Sequence, residues 1–288
     1  MKYAFIEGHR DAYRVTKMCR WLGVSRSGYY LWRKRAPSAR AKQREAVRVA
    51  LNDTYHAFNR IYGAPRLVRE LNDAGISCSL NHVAKLMQID GLRARNGKDF
   101  KFEPAAEAIA GTAENLLARN FQASQPNEKW VSDITYIQVD DGWVYLAVVM
   151  DLYSRQIIGW AMADDMKVDL VLDAFNRAVA NREVRPGLIV HSDRGVQYRA
   201  WEYRKALESC EAAPSMSRKG NCWDNAAMES FFSRLKVEWI YATEYGTLSD
   251  AYSSVFEYIE IFYNRMRRHS AIGYVSPAQY EQEYAQCA

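Results

Sequence analysis

The amino-acid sequence predicts a mixed α/β domain preceded by small all-helical units, and three observations carry that reading. The chain has 288 residues, beyond the size at which one hydrophobic core usually suffices. Its apolar residues recur at helical spacing in the first third, then switch to a period of two from Trp130 onward. The charge divides as well: residues 1–100 carry 20 Lys and Arg against 8 Asp and Glu, whereas residues 101–288 carry 19 against 26. A front of net charge +12 suits a polyanion partner. A back of net charge −7 suits a site that holds divalent cations beside a phosphate.

Composition narrows the class. With 49% hydrophobic and 25% charged residues, disordered, collagen-like and disulfide-scaffold chains are excluded. The longest apolar run, Trp143 to Met150, falls far short of the roughly 20 residues of a bilayer crossing. The N-terminus opens into charged sequence, so the expectation is a cytoplasmic protein with no membrane partner. Five scattered cysteines without a C-x-x-C pair read as reduced thiols. Cys78 and His82 share a helix face but lack a second ligand pair for zinc.

Along the chain, Val15 to Leu22 forms a short helix that Gly23 ends. Ser25 then caps a second helix running through Tyr29 and Trp32 into Arg33. This is a helix-turn-helix pattern over residues 1–38, with Cys19 small enough to let the helices approach, and Arg26 and Tyr29 near the start of the reading helix. Residues 39–100 form a second helical unit. A helix runs from Ala39 to Phe58, Pro65 opens another, Gly75 closes it, and Ser79 caps a third, leaving Arg66, Arg69 and Lys85 on polar faces. Residues 101–126, rich in Ala and Glu and without periodicity, read as a linker.

In the segment 127–246, Val131, Asp133, Thr135 and Ile137 share one strand face, and Asp140-Asp141-Gly142 supplies a hairpin turn. Trp143 to Met150 and Gln156 to Met162 complete an antiparallel meander. A helix over Val168 to Asn181 leads to a buried strand, Leu188 to Ser192, expected to pair in parallel. Residues 247–288 form a C-terminal helical extension.

Three carboxylates stand in unusual contexts: Asp133 inside a strand, Asp193 at the end of another, and Glu229 on a helix capped by Asp224 or Asn225. Unpaired charge in apolar strands is costly, and a pair of metal ions would compensate it. Glu229, Ser233 and Lys236 recur at helical spacing, which places Lys236 on the carboxylate face, within reach of a DNA phosphate. His191 and Asn225 stand close behind the carboxylates. Arg267 and His269 belong to a basic cluster that follows an amphipathic helix.

The segments Trp130 to Tyr136, His191 to Tyr198 and Asp224 to Phe232 closely resemble the bacterial insertion-sequence transposases whose enzyme is encoded in two overlapping frames. Those proteins are members of the DDE superfamily, which includes retroviral integrases. The 35 residues between Asp193 and Glu229 match that family's spacing. Further similar stretches are Tyr62 to Leu67, Tyr263 to Ser270 and Gly273 to Pro277.

The resemblance implies a ribonuclease H-like fold with Asp133, Asp193 and Glu229 as catalytic and metal-holding residues. It implies two Mg²⁺ ions, replaceable by Mn²⁺, acting in cleavage at element ends and strand transfer into target DNA. It also implies double-stranded DNA as partner, an oligomer on that DNA and association with the bacterial nucleoid. The chain lacks a sustained leucine heptad. It therefore resembles the downstream-frame (OrfB-type) product, which works with an upstream-frame product or as a fusion with it. Two other readings compete: a noncatalytic DNA-binding regulator, and a ribonuclease H-like nuclease acting on RNA hybrids or junctions. The acidic triad argues against the first, and the helix-turn-helix pattern against the second.

Overall fold

In the computed structural model, residues 1–36, 38–95, 112–218 and 222–287 are described. The centre is a five-stranded sheet in the order β3-β2-β1-β4-β5. Strands β1 (Lys129–Val139), β2 (Gly142–Asp151) and β3 (Ile157–Ala163) form the expected antiparallel meander, with Val139 opposite Gly142 across the two-residue turn. Helix α7 (Val168–Asn181) then crosses to β4 (Ile189–Ser192), which pairs in parallel with β1. α7 lies so close to β3 that a Cβ on Gly159 would stand 2.2 Å from the Ala174 carbonyl oxygen, so no larger residue fits there. Helices α8 (Val196–Arg199) and α9 (Trp201–Ser209) lead to β5 (Ala213–Met216). That last strand did not register in the sequence pattern, because it has only four residues and one is Pro214, which edge strands alone tolerate.

Both faces of the sheet are covered. Trp130, Ala147 and Val149 pack under α7 and α9. Val131, Ile137, Val148 and Met150 face a larger core. That core is closed by α10 (Ala226–Glu238), by α11 (Leu248–Phe256) with the π-helical segment Glu257–Tyr263, and by α4 (Ala39–Ala57), α5 (Ala64–Asp73) and α6 (Leu80–Ile89). The second helical unit and the C-terminal extension thus share one core with the sheet. Helix α12 (Pro277–Cys287) ends the chain's described part.

The N-terminal helices have a core of their own. α1 (Lys2–Gly8), α2 (Val15–Leu22) and α3 (Arg26–Lys34) bury Ile6, Met18, Cys19 and Tyr29. Gly23 takes a left-handed φ of 60° at the turn, and the Ser25 hydroxyl accepts from the Gly28 N–H, as the sequence predicts. Tyr29 is the correction here. It is fully buried and its hydroxyl donates to Glu7, so it fills the core of this unit instead of facing DNA.

The expected linker is also different in part. Residues 101–111 lie outside the described residues, but 112–126, though irregular, is docked on the sheet domain. The Ser215 hydroxyl accepts from the N–H groups of Leu116 and Leu117, Leu117 is buried, and the Phe121 and Gln122 carbonyls accept from Arg155 and Lys129. These contacts use backbone polar groups, which leave no hydrophobic period to read. Among the described residues, no helix is long and apolar enough to cross a membrane.

Arg267 is also corrected. Its guanidinium is 1% exposed and donates to both oxygens of Glu238, with Nε to Oε2 at 2.7 Å. It ties the end of α10 to the C-terminal loop and does not reach solvent. His269 donates to or accepts from the Tyr263 hydroxyl at 3.0 Å, and burial among Arg267, Arg66, Arg155 and Arg234 pushes its pKa down to about 3. It stays neutral and cannot grip a phosphate by charge.

Two stability predictions follow from these groups. Glu238→Ala leaves Arg267 buried and unpaired and should lower unfolding free energy by about 3–5 kcal/mol in urea titrations; a loss under about 1 kcal/mol would contradict the pairing. A histidine with a lowered folded pKa stabilises fully above about pH 6.5, and that stability declines as pH falls toward the folded value. His269→Gln should flatten the fall in unfolding free energy, from urea titrations between pH 6.5 and 4, by up to about 1.4 kcal/mol per pH unit.

Candidate active site

The strand register brings two of the three candidate carboxylates together. Lys129, Trp130 and Val131 of β1 stand opposite Ile189, Val190 and His191 of β4. The same offset, carried one step past the end of β4, sets Asp193 level with Asp133. Asp133 alternates with Val131 and Ile137, so it lies on the sheet face that α10 covers. On α10, Met228, Phe231, Phe232 and Leu235 anchor that face, and Glu229 follows at the half-buried margin.

Electrostatics link the three. Burial, then the charge of Asp193, and less strongly that of Glu229, hold the Asp133 carboxyl well above the usual range. The Ile134 N–H and the Lys236 ammonium oppose that shift. Burial also raises Asp193, against the Gly195 N–H that its Oδ1 accepts at 2.8 Å and the nearby Arg199. Burial raises Glu229 too. Like charges crowded into a partly desolvated corner are mutually unfavourable unless protonated or neutralised by a cation.

Helix α10 is fixed at its start by a buried carboxylate. Asp224 is fully buried and accepts from the Arg218 backbone N–H at 2.9 Å, from Arg218 Nε and Nη2 at 2.9 and 2.8 Å, from Arg119 Nε at 3.0 Å and from Asn115 Nδ2 at 2.9 Å. Those bonds hold its pKa far below the usual range, the Arg218 side chain contributing most. The expected capping role is replaced: neither Asp224 nor Asn225 caps α10 through its side chain. Asn225 instead reaches β1, its Nδ2 donating to the Ser132 carbonyl at 3.4 Å, and its Oδ1 is buried without a hydrogen-bond partner among the described residues. Sequence reasoning missed Arg119, Arg218 and Asn115, which lie 105, 6 and 109 residues from Asp224. Only the buried Asp directly before the Glu229 helix could have pointed to them.

The remaining candidates separate by exposure. Arg26, Arg33, Arg69 and Lys85 are exposed. Arg33 lies 3.5 Å from Glu7, and Arg69 stacks over Tyr274. Arg66 is drawn inward: it stacks over Tyr62 and donates to the Arg268 carbonyl at 2.9 Å. Lys236 is only 3% exposed, its ammonium 4.4 Å from the Tyr136 ring centroid, with burial lowering its pKa against the pull of Asp133. It points toward the acidic corner, away from bulk solvent. His191 is buried between Ser215 Oγ at 2.8 Å and Ser217 Oγ at 3.1 Å, and burial lowers its pKa to about 4. It is a neutral tie between β4 and β5, and no bond joins it to the candidate carboxylates.

The donor set fits a divalent cation chemically: three carboxylates supply hard oxygen ligands, and their mutual repulsion is relieved by positive charge. Among the described residues, no three acidic, His or Cys side chains already stand in metal-holding geometry.

The chain is similar to several known proteins. Residues 123–222 match one family model described as an integrase core domain, residues 229–284 match a second of the same description, and residues 42–99 match an HTH-like domain. The transposase InsF for insertion sequence IS3A of Escherichia coli (strain K12) is 43% identical over 285 residues, 98% of each chain. The insertion element IS600 uncharacterized 31 kDa protein of Shigella sonnei is 40% identical over 271 residues, covering 94% of this chain and 100% of that one. Among solved structures, the HTLV-2 integrase catalytic core domain in complex with magnesium is 14% identical, with a TM-score of 0.42, covering 55% of this chain and 98% of that one.

The Asp224 clasp makes a testable structural claim. Asp224→Ala should speed amide hydrogen exchange in the first turn of α10 and in residues 115–119 together, and lower stability by about 1–3 kcal/mol. Unchanged exchange in both segments would show that the clasp does not hold the helix.

Proposed function

The chain belongs to the family of insertion-sequence transposases represented by InsF, and from that premise we propose that Asp133, Asp193 and Glu229 form its catalytic site for DNA cleavage and strand transfer. The observation that carries the assignment is the electrostatic linkage of the three in one corner: Asp133 on β1, Asp193 level with it one residue past β4, and Glu229 brought over by α10. In this reading the three carboxylates hold two Mg²⁺ ions, for which Mn²⁺ can substitute. When bound, those ions supply positive charge to the reacting phosphodiester and to the attacking and leaving oxygens.

The chain's own residues create the conditions for that chemistry. Asp133 and Asp193 are held by the sheet, so their spacing depends on the β1–β4 register. Asn225 and the Asp224 clasp position Glu229 by fixing the start of its helix. Lys236 lowers the cost of negative charge on Asp133. In the first step a water oxygen bonds to phosphorus at the element end and the P–O3′ bond breaks, leaving a 3′-OH. In the second, that 3′ oxygen bonds to a target phosphorus and expels the target's own 3′ oxygen, with no covalent protein intermediate.

The DNA partner is double-stranded, both element end and target. Arg26 and Arg33 on α3, with Arg69 and Lys85 on the second helical unit, are the exposed cations suited to its phosphates and base edges. Joining two ends requires at least two copies, so the active form is an oligomer on DNA, assembled with the upstream-frame product or its fusion. The site of action is the cytoplasm, at the nucleoid.

Asp133→Asn, Asp193→Asn and Glu229→Gln should each reduce cleavage and strand transfer at least about a thousandfold, on labelled duplex carrying the element's own ends with Mg²⁺. Duplex affinity should change less than about threefold, since none of the three sits on the basic helices. A fully active variant would remove that residue from the triad.

A further inference from the structure

Along the flank of α10 next to Glu229 lie two hollows, and arginines line both. The first, of about 300 Å³, is bounded by Arg155 of the β2–β3 turn, by Ser230 and Arg234 of α10 and by Ser270 of the C-terminal loop. The second, of about 210 Å³, has the same Arg234 and Ser270 on its wall, with Arg66 and Arg95 of the second helical unit. Because they share that wall, the two hollows form one groove. Its guanidinium groups are short of acceptors. Arg155 Nη2 donates to the Phe121 carbonyl at 3.0 Å, Arg66 Nε to the Arg268 carbonyl at 2.9 Å and Arg95 Nη1 to the Glu238 carbonyl at 3.0 Å. Each keeps further N–H donors to offer. Glu238 also lines the groove, but its carboxylate is already held by Arg267. Among the described residues, no carboxylate lies within ion-pair distance of Arg66, Arg95, Arg155 or Arg234.

The backbone adds an independent sign. Arg155 has a left-handed φ of 65°, a conformation in which glycine or asparagine is the low-cost residue. Strain of this kind clusters at ligand clamps. Charge, shape and place then select the occupant. Guanidinium groups without a carboxylate match phosphate oxygens in geometry and sign. Two hollows with a common wall suit successive groups along a polyanion better than one free ion. At 3.6 residues per turn, Ser230 and Arg234 stand about 100° and 140° round α10 from Glu229. A strand with one phosphate at the carboxylates therefore carries others, a few nucleotides along, over the groove.

We propose that this arginine groove binds successive phosphates of the DNA strand whose phosphodiester is processed at the carboxylates, with Arg155 and Arg234 as the central contacts. The inference rests on the transposase reading for the course of the strand. Contacts to phosphate carry no sequence information, but they fix register. A strand gripped here is held on a second flank of α10, which sets the phosphodiester that meets Asp133, Asp193 and Glu229.

The test reads affinity without Mg²⁺, so it stands apart from the loss of cleavage in the triad variants. The full-length wild type, Arg234→Gln and Arg155→Gln/Arg234→Gln are titrated with labelled duplex carrying the element's own ends, over a range of salt. Arg204→Gln is the control of equal charge, because Arg204 is exposed on α9, which packs on the opposite face of the sheet. Arg234 is exposed too, so its variant leaves the core intact. The slope of log affinity against log salt should shrink by about one for Arg234→Gln and by about two for the double variant. Affinity at moderate salt should fall at least about tenfold in the double variant, and Arg204→Gln should change neither quantity. Unchanged slopes in both groove variants would overturn the proposal, as would an equal loss in Arg204→Gln. A parallel titration with inorganic phosphate separates a free-anion site from a strand site. Submillimolar phosphate binding that Arg234→Gln abolishes, with the DNA slope unchanged, would also overturn it.

Discussion

The geometry of the proposed catalytic site depends on where one helix is pinned. α10 carries Glu229 across the sheet face, and a buried carboxylate secures each end of it. Asp224, just before the helix, gathers Arg218, Arg119 and Asn115, while Glu238, its last residue, is paired to Arg267 in the core. Buried charge is costly, and removing either partner of such a pair costs more than the pair itself contributes. The cost is put to use here: both ends of the helix are tied to distant parts of the chain, the docked arm 112–119 at one end and the C-terminal loop at the other.

The same economy of charge suits the proposed site to a cation. Where Asp224 and Glu238 are answered by arginines bonded to them, Asp133 and Asp193 are met by single backbone N–H groups and by the more distant charges of Lys236 and Arg199, and burial still holds both above the usual range. The fold therefore keeps two kinds of carboxylate: neutralised ones that hold the frame, and under-compensated ones at the proposed catalytic site. Basic residues outside the site follow a similar division. Arg267 and Arg66 turn inward to hold loops, and Arg26, Arg33, Arg69 and Lys85 stay at the surface.

Most of the frame was legible in the sequence. α2, α3 and α7 fall where periodicity, a glycine stop and a serine cap place them, and the three-strand meander follows from alternation and an Asp-Asp-Gly turn. The proposed triad rests on the resemblance of its segments to a known family; Asp133 or Glu229 alone reads as an ordinary strand or helix residue. What stayed hidden depends on partners far away in the chain. Whether Arg267 meets a phosphate or a buried Glu238, whether Tyr29 faces solvent or Glu7, and whether residues 112–126 hang free or dock on Ser215, cannot be read from local pattern. Each is settled by a contact that closes only after the chain has folded.

The central claim is that the three carboxylates surround a common cation site once a divalent ion is present. It is tested most directly by loading the full-length protein with Fe²⁺ in place of Mg²⁺ and mapping where locally generated hydroxyl radicals cut the backbone. Cuts near Asp133, Asp193 and Glu229 together, all suppressed by excess Mg²⁺, are the result this account predicts. Cuts confined to one of these segments, or located elsewhere and insensitive to Mg²⁺, would contradict it.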